Sequence, residues 1–193
     1  MKPILFNTEM VRAILEGRKT TTRRIVKPKC KWNFIGTNFQ GLPMECRMID
    51  IETQEIIRQP KSPYQSGDIL YVRETWRKHS CSPEFGYIYK ANYVGTVTET
   101  AVNWKPSIHM PKEAARIFLR VTDVRAERLQ DIECIATEGV TMVPADDKRD
   151  PRYYFTKLWD STVKKSDLPL YGWAANPWVW VIKFERTARP DEE

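Results

Sequence analysis

Hydrophobic and polar positions along the chain follow two rhythms, and the elements can be read from where one gives way to the other. An apolar run, "PILF" at residues 3–6, predicts a first strand. Asn7 or Thr8 can cap the helix that follows. Glu9 falls in its first turn, where the helix dipole favours an acid. Met10, Val11, Ile14 and Leu15 then recur at helical spacing, and Gly17 is a natural stop. "TTTRRIV" at 20–26 is rich in β-branched residues and predicts an extended segment, so residues 16–24 form a helix-to-strand corner.

Further on, "GDILYVRETW" (67–76) alternates, with Ile69, Tyr71, Arg73 and Thr75 on one face and Leu70, Val72, Glu74 and Trp76 on the other. "FGYIYKANY" (85–93) predicts another strand, and "NWKPSIHMPKEAA" (103–115) a loop punctuated by proline. "RIFLRVTDVRAERL" (116–129) predicts a long strand with Ile117, Leu119, Val121 and Asp123 on one face. "LQDIECIATEG" (129–139) reads as a helix stopped by Gly139, and "DPRYYFTKLWDSTV" (150–163) as another with Pro151 in its first turn. In that second helix Tyr153, Tyr154, Phe155 and Trp159 read as packing. "PWVWVIKFERT" (177–187) is a closing strand, with Val179, Val181 and Lys183 set against Trp178, Trp180 and Ile182. Residues 28–66 break both rhythms. They read as an insertion carrying a hairpin around Glu52–Gln54 and a loop at "PKSPYQSGD" (60–68).

Six or so strands and three helices, mostly outside a strand-helix-strand alternation, predict an α+β fold. The expected architecture is a small, mostly antiparallel barrel with helices packed on it. One domain spans 1–187, and 188–193 read as a disordered tail. With 41% hydrophobic residues in 193, the chain can build a true core.

Charge changes the picture at one end. The net charge is +6, but residues 1–31 alone hold nine Lys or Arg against Glu9 and Glu16, a local +7. Concentrated positive charge of this kind attracts phosphates and other anions. Arg18, Lys19, Arg23 and Arg24 interleave with Thr20, Thr21 and Thr22, so hydroxyls meet unneutralised cations at the corner. Cys30, Cys46, Cys81 and Cys134 form no CxxC pair, no stretch approaches a membrane span, and no secretory leader is visible. Together these predict a cytoplasmic protein with free thiols. His79 and Cys81 could meet Cys30 and Cys46 around zinc, but the spacing fits no standard zinc pattern, and no metal is expected.

Gly17, Lys19 and Arg24 spell Gly, any residue, Lys, four residues, Arg at the end of the first helix. With this pattern and with "GDILYVRETW", "WKPSIHMPKEAARIFLRVTDVRAERLQDI", "EGV" and "NPWVWVIKFER", the chain resembles the ASCH-domain family. That family is a branch of the PUA-like barrel superfamily, and the likeness is to the larger members carried by bacteria and their prophages. It covers about 1–28 and 62–187 and omits the insertion. The resemblance implies a PUA-like barrel. It is also similar to the branch of small amidohydrolases that remove the acyl group from N(4)-acetylcytidine without metal or cofactor. Their set of Lys, Thr three residues later, and Glu after the long strand falls here on Lys19, Thr22 and Glu138. Other members are RNA-binding proteins or ribonucleases, so the family alone leaves the activity open. The implied partner is a nucleoside or RNA bearing an acylated cytosine, or a single-stranded nucleic acid.

Amide hydrolysis needs a nucleophile, a base to activate it and a proton for the departing amine. A lysine serves as base only when neutral, a form favoured by burial and by cations such as Arg18, Arg23 and Arg24. Glu138 can supply the leaving-group proton or can pair with Lys19 and hold it charged. On an ideal strand Lys19 and Thr22 face opposite sides, so they converge only if Lys19 lies in the corner. Residues expected to touch substrate are Arg24, which shares parity with Thr22, together with Arg73, Glu74, Trp76, Ser107 and His109. Glu74 shares a face with Leu70 and Val72 and needs a partner there, for which Arg24 is the alternative assignment. Trp76, Trp104 and Trp178 can offer stacking surfaces to a base. Trp32, Phe34 and Phe39 of the insertion can form a lid.

Overall fold

The structure, a computed structural model, describes residues 1–26, 32–35, 47–50, 62–79, 86–94, 103–140 and 149–190. Strand β1 (Lys2–Leu5) leads into helix α1 (Thr8–Leu15). Asn7 supplies the cap, its Oδ1 accepting from the Met10 N–H at 2.8 Å, which satisfies an amide that the first turn leaves orphaned. Val11, Ala13 and Ile14 are buried, so the apolar stripe is the face that packs. Gly17 ends the helix with a φ of 75°, and its N–H reaches Ile14 O at 3.1 Å. Glycine takes that conformation without the strain a Cβ would bring. Lys19 then forms an isolated bridge with Glu138, and strand β2 (Thr21–Ile25) begins. The helix-to-strand corner forms as expected.

The later strands are Trp32–Ile35 (β3), Arg47–Asp50 (β4), Ile69–Arg73 (β5), Trp76–Lys78 (β6), Tyr87–Tyr89 (β7), Phe118–Arg128 (β8) and Trp178–Thr187 (β9). Helix α2 (Pro151–Thr162) is capped by Asp150 Oδ1, which accepts from the Arg152 N–H at 2.7 Å. A short helix α3 (Leu168–Tyr171) follows. β3 pairs with β4 and β6 with β7 in two antiparallel ribbons. The hairpin expected around Glu52–Gln54 and the end of the expected tail, 191–193, lie outside the described residues.

Five strands form one sheet in the order β1-β5-β8-β9-β2. β1 runs parallel to β5, and the other three pairings are antiparallel. The class is therefore α+β with a mostly antiparallel sheet, but the expected closed barrel does not form. Among the described residues β1 and β2 are the two edges, and side chains span the gap between them. Arg24 Nη2 donates to Leu5 O at 3.0 Å, and its guanidinium lies 5.4 Å from the Phe6 ring centre.

Strand β9 serves two cores from its two faces. Val179 and Val181 pack with Phe155 and Trp159 of α2 and with Leu129 and Ile132. Ile182 and Phe184 pack with Ile4, Val11, Ile14, Leu70 and Leu119. A register shift between Val121 and Asp123 breaks the alternation of β8, so the apolar face passes to Val124, opposite Ile182, and Asp123 does not continue it.

Residues 129–139 do not form the helix their spacing predicts. The Leu129 amide donates to Pro177 O at 3.0 Å and that of Gln130 to Asn176 Oδ1 at 2.8 Å. Thr137 O accepts from the amides of Thr20 and Thr21 at 3.0 and 3.1 Å. These bonds use terminal groups that a helix would leave unpaired, but they pin both ends of the segment to other elements, so its path is set by what it must reach rather than by its own spacing. The segment therefore runs as turns and delivers Glu138 and Gly139 to the corner.

Candidate functional site

The start of α1, the 19–24 corner, the loop at Pro106 and Ser107 and the inner face of α2 enclose a cavity of about 520 Å³. Lys19, Thr22 and Glu138 all line it, and all three are almost fully buried. The backbone explains how. Gly17 turns the chain, and the Lys19–Glu138 bridge holds the two segments together. Lys19 precedes the regular strand and so escapes the alternation that would send it away from Thr22.

Lys19 Nζ donates to Thr21 O and to Glu138 O, each at 2.7 Å. It lies 3.6 Å from Glu138 Oε2 and 5.9 Å from the Phe6 ring centre. Burial lowers its pKa to about 8, with Glu138 opposing that shift and the Arg24 and Arg23 cations adding to it. A neutral amine has two hydrogens and one lone pair. Two carbonyls accept those hydrogens here, which leaves the lone pair free to take a proton.

Glu138 shows the complementary effect. Burial raises its pKa against the pull of Lys19 and Arg23. Its Oε1 accepts from Arg23 Nη1. Thr22 Oγ1 accepts from Arg24 Nη1 at 3.2 Å. Arg24 also donates to Arg23 O at 3.3 Å, so it is both a wall of the cavity and a tie across the sheet gap.

The other expected contacts divide. Ser107 lines the cavity, whereas Arg73, Glu74, Trp76 and His109 do not. Arg73 braces the neighbouring loop, donating to Met110 O at 2.9 Å and to Ile108 O. Glu74 does not pair with Arg24. It accepts two bonds from Arg116, at 2.9 and 3.0 Å, and Arg116 in turn lies 4.0 Å from the Tyr89 ring centre. Glu74 lies one residue past the end of β5, and Arg116, just ahead of β8, is the cation that reaches it. Trp76 is a core residue, packed with Met110, Ala114, Ala115 and Phe118. His109 is exposed. Trp104 packs edge-on against Tyr93, and Trp178 carries Arg128 over its ring.

The aromatic side chains that do line the cavity are Phe6, Tyr64, Phe155 and Trp159. The spacing of Phe155 and Trp159 marks a buried helix face, and both are buried. Nothing in that spacing tells a solid core from a cavity wall. Among the described residues no three or more His, Cys, Asp or Glu side chains gather to hold a metal. Cys30, Cys46 and Cys81, and the lid expected from the side chains of Trp32, Phe34 and Phe39, lie outside what the structure describes. No described helix is long and apolar enough to cross a membrane.

Comparison of the chain with protein-family profiles, with curated proteins and with solved structures returned no match.

Proposed function

We propose that the chain is an ASCH-type protein of the PUA-like superfamily and hydrolyses the exocyclic amide of N(4)-acylated cytosine without a metal. One observation carries this reading: an amine, a hydroxyl and a carboxylate, all buried, line a single cavity. Neutral Lys19 takes the Thr22 proton as the hydroxyl oxygen attacks the acyl carbon. Arg24, already bonded to Thr22 Oγ1, is placed beside the developing oxyanion. The carbon–nitrogen bond then breaks, and protonated Glu138 gives its proton to the departing amine. Water finally cleaves the threonine ester and releases the acid. The Phe6 and Trp159 rings offer apolar surface to the base.

The test is to incubate the protein with N(4)-acetylcytidine and follow cytidine by chromatography. Turnover is expected in the wild type and is expected to be lost in Lys19→Ala and Thr22→Ala variants that retain their circular dichroism spectra. Absent turnover, with oligonucleotide binding that weakens steeply with salt, would instead make the +7 segment a binding surface for RNA or DNA. RNA degradation in chelator-treated buffer would make the protein a ribonuclease.

A further inference from the structure

Behind the cavity, charged side chains of alternating sign form a continuous line. Arg125 Nη1 donates to Asp123 Oδ2 at 3.1 Å, and Arg125 Nε to Glu127 Oε2 at 3.0 Å. Arg23 Nη2 donates to Glu127 Oε1 at 2.6 Å, and Arg23 Nη1 to Glu138 Oε1. Glu138 Oε2 then faces Lys19 Nζ at 3.6 Å. The line sinks from the surface into the protein, from an Asp123 side chain 49% exposed to a Glu138 side chain 3% exposed.

The sheet register builds it. Asp123, Arg125 and Glu127 lie two residues apart on one face of β8. Val181 of β9 pairs with Arg125 on one side and with Arg23 on the other, so both arginines occupy one cross-strand row. Arg23 therefore reaches past β9 to meet Glu127.

We propose that Arg23 and Glu127 are positioning residues for the site: Arg23, gripped from behind by Glu127, holds one oxygen of Glu138 and leaves the other to face Lys19 and the substrate. This rests on the reading of Glu138 as the group that handles the leaving-group proton. A single arginine shared between two carboxylates neutralises Glu138 only in part, so Glu138 can still hold a proton. Without the Glu127 anion, Arg23 would serve Glu138 alone and keep it ionised. The charged groups facing Glu138 are Lys19 from the corner, Arg23 and Arg24 from β2, and Glu127 from β8. Helix α2 presents Phe155 and Trp159, which carry no charge.

The experiment follows the Glu138 carboxyl signal by NMR in protein carrying glutamate labelled with carbon-13 at the side-chain carboxyl. The signal is assigned by its loss in Glu138→Gln. Glu127→Gln removes an anion and is expected to lower the midpoint of the Glu138 titration, whereas Arg23→Gln removes a cation and is expected to raise it. If the two residues only support packing, both variants hydrate Glu138 and lower its midpoint together. Movement in the same direction, or no movement, overturns the proposal. Should Arg23→Gln fail to fold, Arg125→Gln at the partly exposed end takes its place, again with a rise expected. The same variants are assayed on N(4)-acetylcytidine, where a fall in kcat with KM held is expected for Glu127→Gln. Opposite shifts without turnover in the wild type would sink the amidohydrolase reading while leaving Arg23 and Glu127 as the groups that set Glu138.

Discussion

Lys19 couples the site to stability through its proton. Its pKa is 10.5 in an ordinary environment and about 8 in this fold, because the buried amine resists charge. Between those values the unfolded chain keeps the proton and the folded chain releases it. The unfolded state then binds more protons, and stability rises with pH across that window by on the order of 3 kcal/mol. Below pH 8 both states hold the proton, and the cost of burying the ammonium is carried in full. Glu138 acts in the opposite sense and on the acid side: its raised pKa makes the folded state the better proton binder above 4.5, so its contribution falls as pH rises there. Subtracting the urea stability of Lys19→Met from that of the wild type isolates the lysine. The difference should climb from pH 8 towards 10.5, and a flat difference would mean that Lys19 titrates normally. If Lys19 is the base, turnover should rise with a midpoint near pH 8, and Lys19→Arg, which cannot deprotonate, should be inactive at every pH.

Two glycines separate backbone need from packing at the scale of the element. Gly17 and Gly139 both sit at positive φ, 75° and 69°. A Cβ on Gly17 would meet nothing within 4 Å, whereas one on Gly139 would lie 2.8 Å from the Cβ atoms of Ala13 and Lys19. Gly17→Ala should therefore cost only the backbone strain, about 1 kcal/mol. Gly139→Ala should add overpacking of about 1–3 kcal/mol more and push Lys19 out of line. Urea unfolding measures both costs, and equal losses would mean that the corner yields freely.

This corner also shows what the sequence made legible. α1, its Gly17 stop, β2, β8, β9 and α2 could be read because each carries its own side-chain period and its own caps. The Lys19, Thr22 and Glu138 positions came from a short pattern and a family resemblance, and their meeting needed only the corner. The 129–139 segment departs from its helical spacing because its two ends are pinned by bonds to residues 173–177 and to the 20–21 amides, partners distant in sequence. The Glu74–Arg116 pair and the aromatic cavity wall were hidden for the same reason: parity names a face but not what arrives to cover it.

At the scale of the whole molecule the sheet leaves a gap that Arg24 spans. The outer edge of β1, unpaired among the described residues, presents the carbonyls of Pro3 and Leu5. Tyr64 Oη donates to the first at 2.8 Å and Arg24 to the second at 3.0 Å. Pro3 suits such an edge, because it has no amide to leave unpaired. Side chains thus cover an edge that a closed barrel would cover with another strand, and they leave room beneath for the cavity. Arg24→Met keeps the apolar stem against Phe6 but removes the donors to Leu5 O, Thr22 Oγ1 and Arg23 O. A loss of about 2 kcal/mol is expected, the scale of a charged hydrogen-bond donor withdrawn from partly buried acceptors. Where the loss appears is the sharper expectation. β8 and β9 form the longest ladder and lie inside the sheet, so their amides should exchange only on global unfolding, whereas β1 can open locally. Hydrogen exchange read by mass spectrometry should therefore accelerate in Arg24→Met peptides from β1 by more than in those from β8 and β9. Equal acceleration in all three would mean that the edge has no independent opening, and that Arg24 holds the fold as a whole rather than the gap above the cavity.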